Sequence, residues 1–150
     1  MRSRSRSLKL ALALALTLAS TASFAIEFRS VAAPSILYDT PSEKGRKLAI
    51  ILAGTPVEMV VSLDKWVKVR DPAGGLSWID RRALADKRTI IVKVAQTSVR
   101  QLADDTAPAV FVTVRDAVLE LAEGPVAGWI KVRHADGASG YLHVNEVWGL

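Results

Sequence analysis

The chain has 150 residues, 20 basic and 15 acidic side chains, two histidines and no cysteine. Without cysteine there is no disulfide framework, no thiolate metal site and no Cys–His peptidase chemistry. The positive excess does not point to nucleic acid. Arg2, Arg4, Arg6 and Lys9 supply most of it, and without them basic residues exceed acidic ones by one. A phosphate-binding surface needs a basic stripe, and here only Arg81-Arg82 and Lys87-Arg88 cluster.

Residues 1–25 read as a secretory signal peptide. After the basic start, Leu8 to Leu18 is apolar apart from Lys9 and Thr17, and Ser23-Phe24-Ala25 offers small residues for cleavage after Ala25, with cleavage a few residues earlier as the alternative. The apolar run is shorter than the roughly 20 residues of a membrane span. No cysteine follows it to carry a lipid. The expected product is periplasmic or secreted, with no membrane span once the signal is removed.

Beyond the signal, short Val/Ile/Leu/Trp runs alternate with Gly, Pro and Asp, which predicts strands and tight turns. In the first unit the predicted strands are Ser35–Tyr38, Leu48–Leu52, Val57–Leu63, Trp66–Arg70 and Leu76–Asp80. A long polar loop follows Tyr38, Gly74-Gly75 tips a hairpin, and Arg81–Ala83 forms one tight turn. Thr89–Val92 is expected to close the unit. The second unit then runs through Ser98–Arg100, Val110–Val114, Val118–Ala122, Trp129–Arg133 and Gly140–Val144, with Asp136-Gly137 at its hairpin tip. Thr89–Thr97 has no Pro or Gly and is expected to run as strand, fixing the two units against each other.

The two units share letters. WVKVRDPAGGLSW, from Trp66 to Trp78, aligns without a gap on WIKVRHADGASGY, from Trp129 to Tyr141. Such self-similarity marks a repeated structural unit. Within Trp66–Arg70 the side chains alternate. Val67 and Val69 must face the core, because Lys68 and Arg70 will not be buried unpaired. Trp66 and Trp129 therefore belong to the outer, charged face. There they are either covered by the long loop or serve as platforms for a ligand.

Five short strands, a long polar first loop, a tight hairpin and a one-turn helix before the last strand resemble an SH3-like barrel. Ile36-Leu37-Tyr38-Asp39 resembles an SH3 start. Ser77-Trp78-Ile79 and Gly140-Tyr141-Leu142 resemble the Gly-Trp-Val signature of bacterial SH3 domains, and the stretches Trp78 to Val92 and Val147-Trp148-Gly149 are similar to ends in that family. The resemblance implies an all-β chain of two tandem SH3-like small β-barrels, over residues 32–92 and 93–150. It implies a non-enzymatic binding or adaptor module whose partner is a cell-wall peptide (peptidoglycan) or an envelope protein. No cofactor, metal or nucleic acid is expected. The alternative is a structural or assembly protein of the envelope that uses its barrels for protein–protein contact, by edge-strand pairing or a flat apolar patch.

The candidate ligand surface is Tyr38, Trp66 and Trp78 in the first unit, with Trp129 and Tyr141 in the second. Matched to the SH3 groove, Trp66 and Trp129 take the place of its tryptophan. Tyr38 takes the first tyrosine, with Gln101 there in the second unit. Asp80 and His143 fall on the groove proline, and Ala83 and Glu146 on the closing tyrosine. Several aromatic walls are thus missing, and a polyproline ligand needs stacked rings, so polyproline is not the expected partner. His134, at a hairpin tip, and His143, on a strand, could approach each other but lack a third metal ligand. Asp104-Asp105 reads as a solvated acidic loop.

Overall fold

The computed structural model describes residues 25–150, and the expected signal segment up to residue 24 lies outside them. The first sheet holds β1 (Glu27–Val31), β2 (Ser35–Tyr38), β3 (Lys47–Ile51), β4 (Pro56–Ser62), β5 (Trp66–Arg70), β6 (Leu76–Asp80) and β7 (Leu84–Ala85). The second holds β8 (Thr89–Val92), β9 (Gln96–Arg100), β10 (Ala109–Val114), β11 (Val118–Val126), β12 (Trp129–Arg133), β13 (Ser139–His143) and β14 (Val147–Trp148). Their strand orders are β3-β2-β6-β5-β4-β1-β7 and β10-β9-β13-β12-β11-β8-β14, the same arrangement twice. One-turn 3-10 helices at Arg81–Ala83 and Val144–Glu146 precede the last strand of each. The fold is all-β and duplicated, as expected.

Alternation explains the two cores. Val67, Val69 and Ile79 are fully buried in the first unit, and Ile130, Val132 and Leu142 hold the same places in the second. Each such side chain contributes roughly 1.5–3 kcal/mol through burial. The intervening Trp66, Lys68, Trp129 and Lys131 stay half-exposed on the outer face. The β5–β6 and β12–β13 hairpins turn through Gly74 and Gly137 at φ +90° and +96°, a region L-residues rarely enter.

Two strand assignments differ from the sequence reading. Thr89–Val92 does form a strand with those bounds, but it does not close the first sheet. It lies between β11 and β14 of the second. The corresponding place in the first sheet belongs to β1, between β4 and β7, a strand the sequence reading did not separate from the region after the signal. Val31 opposite Leu84 matches Val92 opposite Val147. Each unit therefore begins with its own strand, β1 or β8, and the connection between sheets is Asp86 to Arg88 rather than Thr89–Thr97.

The two sheets meet along a seam built by these opening strands. Thr89 Oγ1 donates to the Gly54 carbonyl at 2.6 Å and lies 2.8 Å from Ser30 Oγ, which also donates to the Lys87 carbonyl. Phe28 of β1 meets Trp148 of β14 edge to face. The Arg88 guanidinium lies 5.8 Å from the Phe28 ring and donates from Nη2 to the Gly149 carbonyl at 2.8 Å. Burial, and then the charge of Arg29, pull the Arg88 pKa down, while its Nε has no partner among the described residues. Gly149 sits at φ +111° with Thr89 O and Pro56 Cβ about 3 Å from where a Cβ would stand. Only glycine fits that approach.

Candidate functional site

In the first unit strand pairing gathers Tyr38, Trp66 and Trp78 on one outer face. Trp78 pairs with Tyr38 on one side and Lys68 on the other, while Trp66 pairs with Asp80. Directly opposed residues share a face, so all five side chains point outward together. Tyr38 stands edge-on to Trp66, centroids 5.4 Å apart at 87°, the T-shaped geometry favoured by ring quadrupoles. Lys68 Nζ lies 5.9 Å from the Trp78 ring centroid, within cation–π range.

Trp66 lines an open cleft of about 590 Å³ between three segments: residues 41–44 of the long loop, the turn at 64–65, and 80–82 at the one-turn helix. A smaller depression of about 250 Å³ beside it adds Tyr38, Ile36 and Ala83. The long loop therefore faces the tryptophan across a cavity. Arg81 fixes the turn by donating from Nε to the Asp64 carbonyl at 2.9 Å and from Nη2 to Ser62 Oγ at 2.7 Å. Asp80 accepts from the Arg82 backbone N–H at 2.8 Å and pairs with the Arg82 guanidinium at 2.6 Å. The Arg82 side-chain hydrogen bond holds the Asp80 carboxyl below its ordinary value, against desolvation, which raises it. Lys44 and Lys65 make no ion pair among the described residues, so the cleft presents free cations beside Glu43 and an aromatic floor.

The second unit places Trp129 and Tyr141 by the same pairing, with Trp129 opposite His143 and Lys131 opposite Tyr141. Lys131 Nζ is 5.9 Å from the Tyr141 centroid and 2.9 Å from Glu123 Oε1, whose hydrogen bond raises the lysine pKa. The residue in the place of Tyr38 is Arg100, which pairs with Tyr141 as Tyr38 pairs with Trp78. This corrects the assignment of Gln101. The β11–β12 turn holds one residue more than the β4–β5 turn, since Val61 pairs with Lys68 but Glu123 with Lys131. The gapless alignment around tryptophan therefore slips by one when carried back across that turn.

His134 and His143 do not approach each other. They flank opposite ends of β13, His134 against Phe111 and Asp136, and His143 against Trp129. Among the described residues no group of three or more His, Cys, Asp or Glu could hold a metal ion, and no helix is long and apolar enough to cross a membrane. Asp105 is not merely solvated. It meets His143 Nε2 at 2.7 Å, a contact between a loop and a distant strand that spacing along the chain does not show. Asp104 accepts from the Thr106 N–H and hydroxyl, which lower its pKa.

Paired strand orders, a long loop facing a tryptophan, and a one-turn helix before the last strand define two SH3-like barrels. The bacterial SH3 domain family matches residues 31–86 and 93–149. The chain belongs to this family, whose members are typically binding modules with cell-wall partners. No curated protein matches the chain. Among solved structures, NlpC2 from Trichomonas vaginalis is 10% identical with TM-score 0.38, covering 83% of this chain and 48% of that one. An NlpC/P60 family protein from Bacillus cereus is 13% identical with TM-score 0.37, covering 81% and 56%. The chain thus spans about half the length of these proteins. The fold assignment rests on the family match and the strand pairing, not on these likenesses.

Proposed function

We propose that the protein is a non-enzymatic binding or adaptor module exported to the periplasm or beyond, and that its first unit recognises a cell-wall peptide in the Trp66 cleft. The observation that carries this is the open cleft of about 590 Å³, a size typical of small-ligand sites. Its floor is aromatic, and its rim holds Lys44, Lys65 and Glu43. Wall peptides carry both amines and carboxylates, which suit a rim of both signs. Aromatic floors give contact area with little loss of side-chain freedom. Asp80 is taken up by Arg82, and among the described residues no cleft side chain pairs as a nucleophile with a base. The test is co-sedimentation of the mature protein with purified peptidoglycan sacculi. Pelleting that is lost in Trp66→Ala supports the reading, and failure of the unsubstituted protein to pellet removes it.

A second reading, an assembly protein, draws on a different observation. β3 and β10 each form one edge of their sheets. Leu48 and Ile50, and likewise Val110, Val112 and Val114, are exposed along them, with Leu52 just past the end of β3. Edge strands of this kind accept an added strand. Capture of an envelope protein that is lost in Ile50→Lys, with no pelleting on sacculi, favours this reading.

A further inference from the structure

We infer that the chain offers one open cleft and not two, because the second unit fills its own with His143 and Asp105. This rests on the reading of the Trp66 cleft as the ligand seat.

The long loops of the two units correspond residue by residue. Asp39 N–H donates to the Arg46 carbonyl as Gln101 N–H does to that of Pro108. Ser42 to Thr40 matches Asp104 to Leu102, and Gly45 to Ser42 matches Ala107 to Asp104. Glu43 and Asp105 therefore hold the same loop position. Asp80 and His143 hold the same strand position, each opposite its tryptophan. In the first unit both positions carry carboxylates, which repel and cannot bridge. Asp80 turns to Arg82 instead, and the cleft between loop and strand stays open.

In the second unit the same two positions carry a carboxylate and an imidazole. An ionised carboxylate only accepts hydrogen bonds, so His143 Nε2 carries the proton and donates to Asp105 Oδ1 across 2.7 Å. The imidazole lies against the Trp129 ring, centroids 3.7 Å apart at 32°. That stack occupies a face of the tryptophan which a ligand would use. The base of the histidine is braced as well. Its backbone N–H donates to Glu146 Oε2 at 3.3 Å, and Glu146 Oε1 accepts from Thr97 Oγ1 at 2.8 Å. Arg100, in the place of Tyr38, turns back to the Ala107 carbonyl of its own loop at 2.8 Å, so the second aromatic wall is missing too.

The test has one arm that needs no ligand. Labelling the mature chain with 5-fluorotryptophan gives four fluorine resonances, one for each tryptophan. A neutral gadolinium chelate in solution relaxes each according to its access. Trp129 is expected to respond less than Trp66, and to rise to the Trp66 level in His143→Asp, which copies the first unit. Asp105→Ala is expected to raise it too, and serves should the first variant unfold. Unchanged Trp66 and Trp148 signals report an intact fold. Equal access in the unsubstituted chain, or no change at Trp129 in both variants, overturns the inference. In the second arm a soluble disaccharide–tetrapeptide from sacculi is titrated, with one equivalent expected per chain. Binding lost in Trp66→Ala but kept in Trp129→Ala supports the inference, and two equivalents overturn it. No binding at all defeats the cell-wall reading instead, and the fluorine arm alone then decides whether the second cleft is closed.

Discussion

Phe28 and Trp148 meet across the seam between the two sheets, ring centroids 4.9 Å apart and planes at 85°. One belongs to the first strand of the first unit and the other to the last strand of the second, so the ends of the described chain tie the barrels together. Trp148→Ala removes this contact. A fully buried tryptophan costs roughly 3–5 kcal/mol when truncated to alanine. Trp148 is half-buried, and a loss of about 2 kcal/mol in urea unfolding is expected. The variant should also speed tryptic cleavage at Lys87 and Arg88, in the connection between the sheets. Cleavage as fast in the unsubstituted chain would show that the seam does not hold.

Trp66→Ala and Ile79→Ala separate binding from folding. Ile79 is fully buried, and its truncation should cost roughly 2–5 kcal/mol. Trp66 is half-exposed on the outer face of β5. Its loss should abolish pelleting on sacculi while lowering stability by about 1 kcal/mol, the order of a surface aromatic pair. Thermal unfolding beside the sacculus assay checks both. A Trp66→Ala protein that fails to fold would return this residue to the core.

Ser77 and Gly140 are equivalent positions, opposite Val69 and Val132, and they respond oppositely to alanine. The Ser77 hydroxyl is buried without a partner among the described residues. Removing an unsatisfied polar atom should stabilise by about 1 kcal/mol. At Gly140 a Cβ would meet the Arg100 carbonyl oxygen well inside contact distance and Val99 Cγ1 at 2.8 Å. The obstruction is backbone, so Gly140→Ala should destabilise by roughly 1–3 kcal/mol. Urea midpoints of the two variants on opposite sides of the unsubstituted protein are the expected result.

Acid should weaken the fold. The pKa values of Asp80, Asp104, Asp136 and Glu120 are all lowered, first by hydrogen bonds from the Arg82 side chain, the Thr106 N–H, the Ala138 N–H and the Lys87 side chain respectively. A carboxyl with a depressed folded-state pKa leaves the unfolded chain holding more protons at moderately acid pH. Its contribution is present above the unfolded value and lost as pH falls through the folded one. The melting temperature should therefore hold above about pH 5 and decline toward pH 2. Asp80→Asn should make that decline shallower. An unchanged slope would remove Asp80 from the acid-sensitive set.

Most of the strands, the duplication and the direction of their side chains were legible in the sequence, although β1 was not. Trp66–Arg70 and Trp129–Arg133 were legible because alternation is local: a valine between two cations can face only inward. Glycine at the hairpin tips was legible for the same reason. Only the tertiary structure decided where Thr89–Val92 pairs, since its buried, apolar run suits either sheet and partner choice depends on strands distant in the chain. The same holds for the match of Arg100 with Tyr38, which a one-residue difference in a remote turn displaced. It holds most of all for the cleft. Trp66 and Trp129 are written alike in the two units, but whether one is open depends on the side chain across the strand and the residue across the loop. Those two meet through folding, over a separation that no local pattern records.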